Sequence, residues 1–500
     1  MNDIALRVAL RADASPQIGL GHVRRCLSLA QALNAIGSAT CLVTRELGVD
    51  TALLSAQAGV THFRLDTTEE HDADATAASL RDWRPDWIVV DHYGLDARWH
   101  EVLKATLPVR IAAIDDLADR PLAVDLLVDH NHARDHRAKY AGRLPPGTRL
   151  LAGPRHALLS PKYAAATGYR FRESVKSIGI FMGGVDAAGI SEKAVHACRR
   201  HARFAGPIEV ATTRANPRLT ALSDLCGRDV DTTLLLDAPD LTKFFARHDL
   251  QIGAGGGASW ERCCIGSPTL ALTCAENQQA VIPALAELGV VATPEPSAAL
   301  DEPAIGRAVA ALLADPPRRR AMSEASRHLV DGLGARRVAL HLNLAALKVR
   351  LATPADASLM HTWRNDATTR RVSVDDRAIE WDSHVAWLAR TLADPMRMLL
   401  VGMVGAVPVG VMRLDRLASR DVEVSLYLDP ALHGLGLGSV LLSTGEAHFS
   451  GCGSAPFRAF TARVLEGNAP SKRLFAAAGY DLQEGGRWHK PAVPTATRKP

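Results

Sequence analysis

Short apolar runs rich in Val, Ile and Leu alternate with amphipathic stretches through roughly the first 130 residues. Runs at 5–10, 39–44, 61–65, 87–91, 109–114 and 126–128 read as strands, and the periodic stretches 21–36, 50–57, 72–83 and 97–106 as helices. This order predicts an α/β domain with a mostly parallel sheet. Pro145, Pro146, Gly147, Gly153, Pro154 and Pro161 then break the pattern, so a crossover is expected at 143–171. A second alternating series has strands at 177–181, 208–211, 232–236, 250–252, 269–272 and 290–292, followed by helical periodicity from 301 to 346. A third unit opens with a strand at 348–351, then helices at 355–365 and 380–392 and a hairpin at 398–414. A strand at 422–428, a Gly-rich turn into a helix at 434–449, a strand at 457–464 and a helix at 468–477 complete it.

A chain of 500 residues exceeds one ordinary core and suggests three domains. The pattern places them at 1–155, 156–346 and 347–490, with a disordered tail at 491–500. The apolar run 398–412 is interrupted by Gly402, Gly405, Pro408 and Gly410, which suits two strands around a turn better than a membrane span. The first residues lack the charge pattern of a signal peptide. A net charge of +4 gives no basic face for nucleic acid. Cys26, Cys41, Cys198, Cys226, Cys263, Cys264, Cys274 and Cys452 form no Cys-x-x-Cys pair, and no His cluster has ligand spacing. The expectation is a cytoplasmic protein with reduced thiols, no metal, no membrane and no nucleic-acid partner.

Three Gly-rich stretches follow predicted strands and open predicted helices. In the first, Gly19 and Gly21 precede His22. A helix N-terminus offers unpaired N–H groups to an anion, and an imidazole beside it can act as a base near neutral pH. A tight turn with His22 as a cap fits the same residues. In the second, Gly255, Gly256 and Gly257 precede Ser259 and Glu261, and Glu276, Asn277 and Gln278 follow the next strand. Close backbone approach by a ligand, with Glu261 on a ribose diol, is one reading; a flexible turn and polar helix start is the other. Gly183 and Gly184 form a weaker pair after the first strand of the second series. In the third stretch, Leu428 leads to His433, Gly434, Gly436, Gly438 and Ser439.

With these residues in view, 5–345 resembles the UDP-sugar hydrolases of pseudaminic acid biosynthesis, relatives of the two-lobed nucleotide-sugar glycosyltransferases. The matching stretches are Gly19-Leu20-Gly21-His22-Val23-Arg24-Arg25, Asp91-His92-Tyr93-Gly94-Leu95-Asp96, Ile114-Asp115-Asp116-Leu117-Ala118, Met182-Gly183-Gly184-Val185-Asp186, 255–261 and Glu276-Asn277-Gln278. The resemblance implies a glycosyltransferase-B-like pair of Rossmann-type lobes. It also implies hydrolysis of UDP-2,4-diacetamido-2,4,6-trideoxy-β-L-altropyranose to free sugar and UDP. His22 would activate water, Tyr93 and Asn277 would lie near it, and the second-lobe Gly loop with Ser259, Glu261 and Gln278 would hold UDP. Asp129-His130-Asn131 departs from the amide-rich stretch expected there. A UDP-sugar transferase, with an acceptor hydroxyl in place of water, is the rival reading.

Residues 348–486 resemble the GNAT N-acetyltransferases, whose acetyl-CoA loop is matched by Gly434, Gly436 and Gly438, with His433 in place of the usual Arg or Gln. The resemblance implies acetyl-CoA as co-substrate, bound around Leu428, Gly434, Gly436, Gly438, Ser439 and Asn468. Trp363-Arg364-Asn365 resembles a segment of sugar-amine acetyltransferases of the same pathway. The acceptor would be the 4-amino group of the UDP-sugar precursor. Glu423 is a candidate base and equally fits a solvent-facing strand position. Phe475 occupies the position of the usual acidic Tyr, leaving Tyr480, water, or a degenerate acyl-CoA-binding module as alternatives.

Overall fold

A computed structural model describes residues 6–166, 168–452, 456–483 and 486–492. The chain divides into two compact units, Met1–Val338 and Ala339–Pro500.

The first unit holds two parallel sheets. One comprises β1 (Arg7–Ala12), β2 (Ala39–Arg45), β3 (Thr61–Leu65), β4 (Trp87–Asp91), β5 (Arg110–Ile114), β6 (Leu126–Asp129) and β7 (Arg149–Ala152), in the order β3-β2-β1-β4-β5-β6-β7. The other comprises β8 (Ile178–Phe181), β9 (Ile208–Thr212), β10 (Thr232–Leu236), β11 (Leu250–Ala254) and β12 (Thr269–Leu272), in the order β10-β9-β8-β11-β12. Ile88, Val89 and Val90 of β4 are buried in succession because helices cover both faces of the sheet. Ala9, Ile88 and Val90 pack on one face with Trp99 and Leu103 of the helix Ala97–Thr106.

Two details differ from the pattern reading. β7 lies inside the stretch expected to be pure crossover; its four residues between Pro-rich turns are too few to show periodicity. The expected strand at 290–292 is one parallel bridge, Leu270 to Ala292. The helical region 301–346 resolves into Glu302–Ala314, Pro316–Leu329 and Gly334–Leu342. Asp315, just before Pro316-Pro317, ends the first of these and caps the second through Arg318 N at 2.9 Å.

Each sheet changes direction beside its first strand: β1 sits between β2 and β4, and β8 between β9 and β11. Loops leaving neighbouring strands in opposite directions open a crevice at the carboxyl ends, where ligands of such folds bind. The stretches containing His22 and Tyr93 leave β1 and β4, and those containing Gly183 and Gly255 leave β8 and β11. Strand order therefore gathers all four at crevice edges.

The second unit is one sheet, β13 (Leu347–Leu351), β14 (Arg397–Val404), β15 (Val407–Arg416), β16 (Val422–Leu428), β17 (Ala459–Arg463), β18 (Asp481–Leu482) and β19 (Arg487–Pro491), in the order β13-β14-β15-β16-β17-β19-β18. β14 and β15 form the expected hairpin. β16 pairs in parallel with β17 over only Val422–Phe460 and Glu423–Thr461, so the two strands part beyond Glu423. The helix Leu437–Gly451 lies close on the sheet, because a Cβ on its Gly445 would meet Met412 Sδ at 2.3 Å. Met360, Trp363 and Leu388 cover the other face against Leu399, Val401 and Val411. Pro491, assigned by sequence to the tail, ends β19. The rest of that expected tail, 493–500, lies outside the described residues. Among the described residues no helix is long and apolar enough to cross a membrane.

Candidate active sites

β1 ends in a turn tied by Gly19 N to Ser15 O at 2.8 Å, with Gly19 at φ +78°. The base of this loop is held by charge. Buried Asp13 accepts from Arg11 Nη1 at 2.5 Å, Arg45 N at 2.8 Å and Arg45 Nε at 2.7 Å. Burial opposes ionisation of Asp13, but His92 and Arg11 outweigh it and hold its carboxyl well below the usual range. The helix Gly21–Ala35 then starts with no side-chain cap and no acidic residue in its first turn. Its leading N–H groups are open to an anion.

His22, in that first turn, donates from Nδ1 to Asp91 Oδ1 at 2.7 Å. This bond leaves Nε2 as the proton acceptor. Asp91 is fully buried and is also gripped by Arg25, whose Nη2 donates to Oδ1 at 2.5 Å and whose Nε donates to Oδ2. Burial disfavours the Asp91 carboxylate, yet Arg25 and His22 keep its acidity stronger than usual. The Tyr93 ring meets His22 edge-on, centroids 4.8 Å apart. Tyr93 Oη donates to Asp116 Oδ1 at 2.8 Å, and Asn131 Nδ2 donates to Asp116 Oδ2 at 2.7 Å. Burial and Asp116 raise the Tyr93 phenol, so it stays protonated. His22, Asp91 and Arg25 thus form one hydrogen-bonded group and Tyr93, Asp116 and Asn131 another, and the His22–Tyr93 ring contact sets them side by side. The departing stretch is accommodated: Asp129 is balanced by Lys139 Nζ at 2.6 Å, and His130 is buried beside Arg25 at 3.5 Å. Burial, then Arg25, pulls the His130 imidazole down to about 4, so it stays neutral at physiological pH.

In the second lobe the helix Ala258–Ile265 likewise starts without a side-chain cap. Gln278 Oε1 accepts from Gly255 N at 3.2 Å and Cys274 N at 2.9 Å, tying the ends of β11 and β12 together. A Cβ on Gly255 would meet Ile282 Cδ1 at 2.4 Å. Ser259 is buried, its hydroxyl taking a bond from Arg262 Nη2 at 3.0 Å, so it braces the loop from beneath. Glu261 is half-buried; burial lifts its carboxyl from 4.5 to about 6, against the pull of Tyr163 and then Arg24. Arg24 follows His22 in sequence, so this electrostatic reach connects the two Gly-loop helices. Asn277 is exposed on the short turn after β12. Gly183 and Gly184 differ from the other loops. Asp186 accepts from Ile190 N at 2.9 Å and Ser191 N at 2.8 Å, filling that helix start with its own carboxylate.

In the second unit Gly434 and Gly436 take φ of +85° and +86°, and the helix Leu437–Gly451 starts uncapped with no acid in its first turn. Ser439, Gly434 and Gly436 are exposed there, and Leu428 ends the strand that leads in. Asn468 caps the helix Ala469–Ala477 through Ser471 N at 3.1 Å. Glu423 sits where β16 and β17 part, opposite Asp415 and Thr461. Phe475 is buried edge-on against Tyr480. Tyr480 is not a free donor: its hydroxyl donates to buried Glu446 at 2.5 Å, and Lys490 Nζ donates to the same carboxylate at 2.6 Å. Among the described residues no cluster of three or more His, Cys, Asp or Glu could hold a metal ion.

Pattern reading missed Asp13, Arg25, Asp91, Asp116 and Arg262 as site residues. Asp91 and Asp116 stood inside quoted motifs, but their roles depend on contacts between distant strands.

Residues 358–480 match the model of the acetyltransferase (GNAT) family. The chain is 22% identical over 337 residues to the spore coat polysaccharide biosynthesis protein SpsG of Bacillus subtilis, covering 67% of this chain and 96% of that protein. It is 22% identical over 284 residues to the UDP-2,4-diacetamido-2,4,6-trideoxy-beta-L-altropyranose hydrolase of Campylobacter jejuni, covering 57% of this chain and 97% of that protein. The UDP co-structure of MnaA from S. aureus matches 68% of this chain and 96% of its own, with TM-score 0.51 and 13% identity. The fold is therefore the two-lobed, glycosyltransferase-B-like α/β architecture followed by a GNAT domain.

Proposed function

We propose that the chain is a bifunctional enzyme of nucleotide-sugar metabolism working in the cytoplasm. The first unit hydrolyses UDP-2,4-diacetamido-2,4,6-trideoxy-β-L-altropyranose, and the second acetylates the 4-amino group of the UDP-sugar precursor with acetyl-CoA. The observation that carries the hydrolase reading is the His22–Asp91 bond at the β1/β4 switch point, with Arg24 reaching towards the second-lobe Gly loop. His22 Nε2 takes a proton from water, and the hydroxide bonds to the anomeric carbon. The bond from that carbon to the β-phosphate oxygen breaks, its electron pair leaving on UDP. Asp91 stabilises the imidazolium, and open N–H groups at Gly255–Gly257 and the uncapped helix behind them receive the diphosphate charge. Glu261 holds the ribose, Gln278 and Ser259 hold the loop in shape, and Tyr93 and Asn277 border the water.

In the acetyltransferase unit, Gly434, Gly436, Gly438 and Ser439 offer backbone N–H groups to the CoA pyrophosphate. The gap between β16 and β17 beside Glu423 admits the thioester. The amine nitrogen attacks the thioester carbonyl, loses a proton towards Glu423, and expels CoA thiolate, which takes a proton from water. Phe475 and the engaged Tyr480 favour one second reading for this unit, an acyl-CoA-binding module without turnover.

The test is incubation with acetyl-CoA and the UDP-4-amino sugar, identifying all products by mass spectrometry and NMR. Free diacetamido sugar, UDP and CoA thiol are expected without any acceptor alcohol. Sugar release only on adding an acceptor makes the first unit a transferase, and CoA binding without thiol release makes the second a module. His22→Ala must abolish UDP release while UDP binding persists.

A further inference from the structure

Arg11, Arg262 and Arg319 are the three arginines among the largest fully buried side chains of the described residues. Arg11 is neutralised by Asp13 and Asp72, both at 2.5 Å. Arg319 spends its guanidinium on the carbonyls of Leu312, Leu313 and Glu173, a structural tie between segments. Arg262 is held more sparsely, with one carbonyl, one hydroxyl and the Phe245 ring 5.9 Å from its Cζ. Its Nη2 donates to Ala254 O at 2.7 Å and Ser259 Oγ at 3.0 Å, while Nε and Nη1 have no hydrogen-bond partner among the described residues. No carboxylate lies within ion-pair distance of it among those residues. Burial draws its basicity down to about 10, which still leaves it charged at neutral pH.

A buried cation with idle donors is costly and calls for an explanation. Its position supplies one. Arg262 is anchored on Ala254, the last residue of β11, and on Ser259 in the helix that follows, so it spans the underside of the loop Gly255–Gly257. A Cβ on Gly253 would stand 2.4 Å from Nη1, so the absence of a side chain there makes the room for the guanidinium. A positive charge with no ion-pair partner, countered by neighbouring Glu261 only beyond ion-pair distance, lies beneath an uncapped helix start and raises the potential of the loop towards anions.

We infer that Arg262 is a positioning residue that charges the Gly255–Gly257 loop for a diphosphate and fixes its shape, a role beyond the side chains that touch the nucleotide. The inference rests on the reading of that loop as the UDP site. Its occupant is a nucleoside diphosphate or another ligand with a multiply charged phosphate. Part of the selectivity for UDP over uridine then comes from this residue, added to that of the loop N–H groups, because uridine contacts alone are indifferent to it.

The experiment measures UDP and uridine binding by calorimetry, and melting with and without UDP, for the full chain and for R262M and R262K. R262M should lose at least about tenfold in UDP affinity through the lost charge beneath the loop, with uridine binding unchanged. Its ligand-free melting temperature should hold or rise, since a buried unpaired charge has been replaced by an apolar chain. R262K should recover much of the UDP preference. If R262M melts lower and loses uridine and UDP alike, Arg262 is merely structural and the inference is overturned. If the unaltered protein binds UDP and R262M keeps the full UDP preference, the inference alone falls. If the unaltered protein does not bind UDP, the nucleotide reading falls with it.

Discussion

Replacing Asp91 with Asn separates the orientation of His22 from its presence. The amide has nearly the shape of the carboxylate, so packing around the β4 end is kept. Three things change at once. The His22 Nδ1 bond, 2.7 Å long, loses its charged acceptor. An amide N–H can now donate to Nδ1, which would move the imidazole proton to Nε2, the atom required as base. Arg25, with its Nε and Nη2 donors on Asp91, loses its counter-charge in a buried setting. A charge-assisted bond is worth about 1.5–3 kcal/mol, or roughly 10–150-fold in rate at 1.36 kcal/mol per decade. Adding the wrong tautomer takes the loss towards about 10⁴-fold, as in the Ser-His-Asp template. Stability should fall by about 3–5 kcal/mol through the stranded Arg25. The assay is UDP release under saturating substrate, with UDP affinity measured beside it so that misfolded protein is discounted. UDP binding should be retained and kcat should collapse. A kcat within about threefold of the unaltered enzyme, while His22→Ala is dead, would refute the orientation argument.

Glu261 gives a pH signature. Its folded carboxyl holds its proton up to about 6 where an unperturbed one releases it near 4.5, so folding is penalised as pH rises through that window and stays penalised above it. Glu261→Gln should therefore gain about 2 kcal/mol at pH 7, gain nothing below pH 4.5, and bind UDP more weakly; melting curves across pH 4–8 check the sign. Gly436→Glu puts a side chain at φ +86° and an acid at the open helix start, so thiol release from acetyl-CoA should vanish while UDP-sugar hydrolysis continues, read in paired assays on one preparation. Tyr480→Phe removes the donor to Glu446 and should cost about 1.5–3 kcal/mol in the second unit with unchanged acetyl transfer per folded molecule; a rate loss with intact melting would make Tyr480 a proton donor after all.

The parallel sheets were legible because their strands are buried on both faces and read as unbroken apolar runs, as in β4. The open Gly-loop helices were legible for a related reason: strand, Gly, helix is a local pattern. What the pattern hides is anything set by strand order. Asp91 is 69 positions from His22, and only the insertion of β1 between β2 and β4 brings them together. Arg262 reads in sequence as the polar side of an amphipathic helix, and burial of a charge leaves no mark on composition. β7 and β19 were missed because each is a four- or five-residue strand flanked by Pro or Gly.

The contrast among the Gly loops bears most directly on what the chain can bind. Three of their helices, beginning at Gly21, Ala258 and Leu437, start without a side-chain cap, whereas the helix after Gly183-Gly184 is closed by Asp186. Asp50, Asp96, Asp301 and Asp315 each accept from the helix they precede, while the helices starting at Asp72, Leu219, Thr242, Val281 and Trp381 also lack a side-chain cap. What sets the three Gly-loop starts apart is their place, at strand ends beside the β1 and β8/β11 switch points and at the parting of β16 from β17. Backbone N–H groups at such starts hold phosphate without surface Lys or Arg. A net charge of +4 on 500 residues is then compatible with a protein that handles two anionic nucleotides, because the positive potential is confined to the loops that receive them.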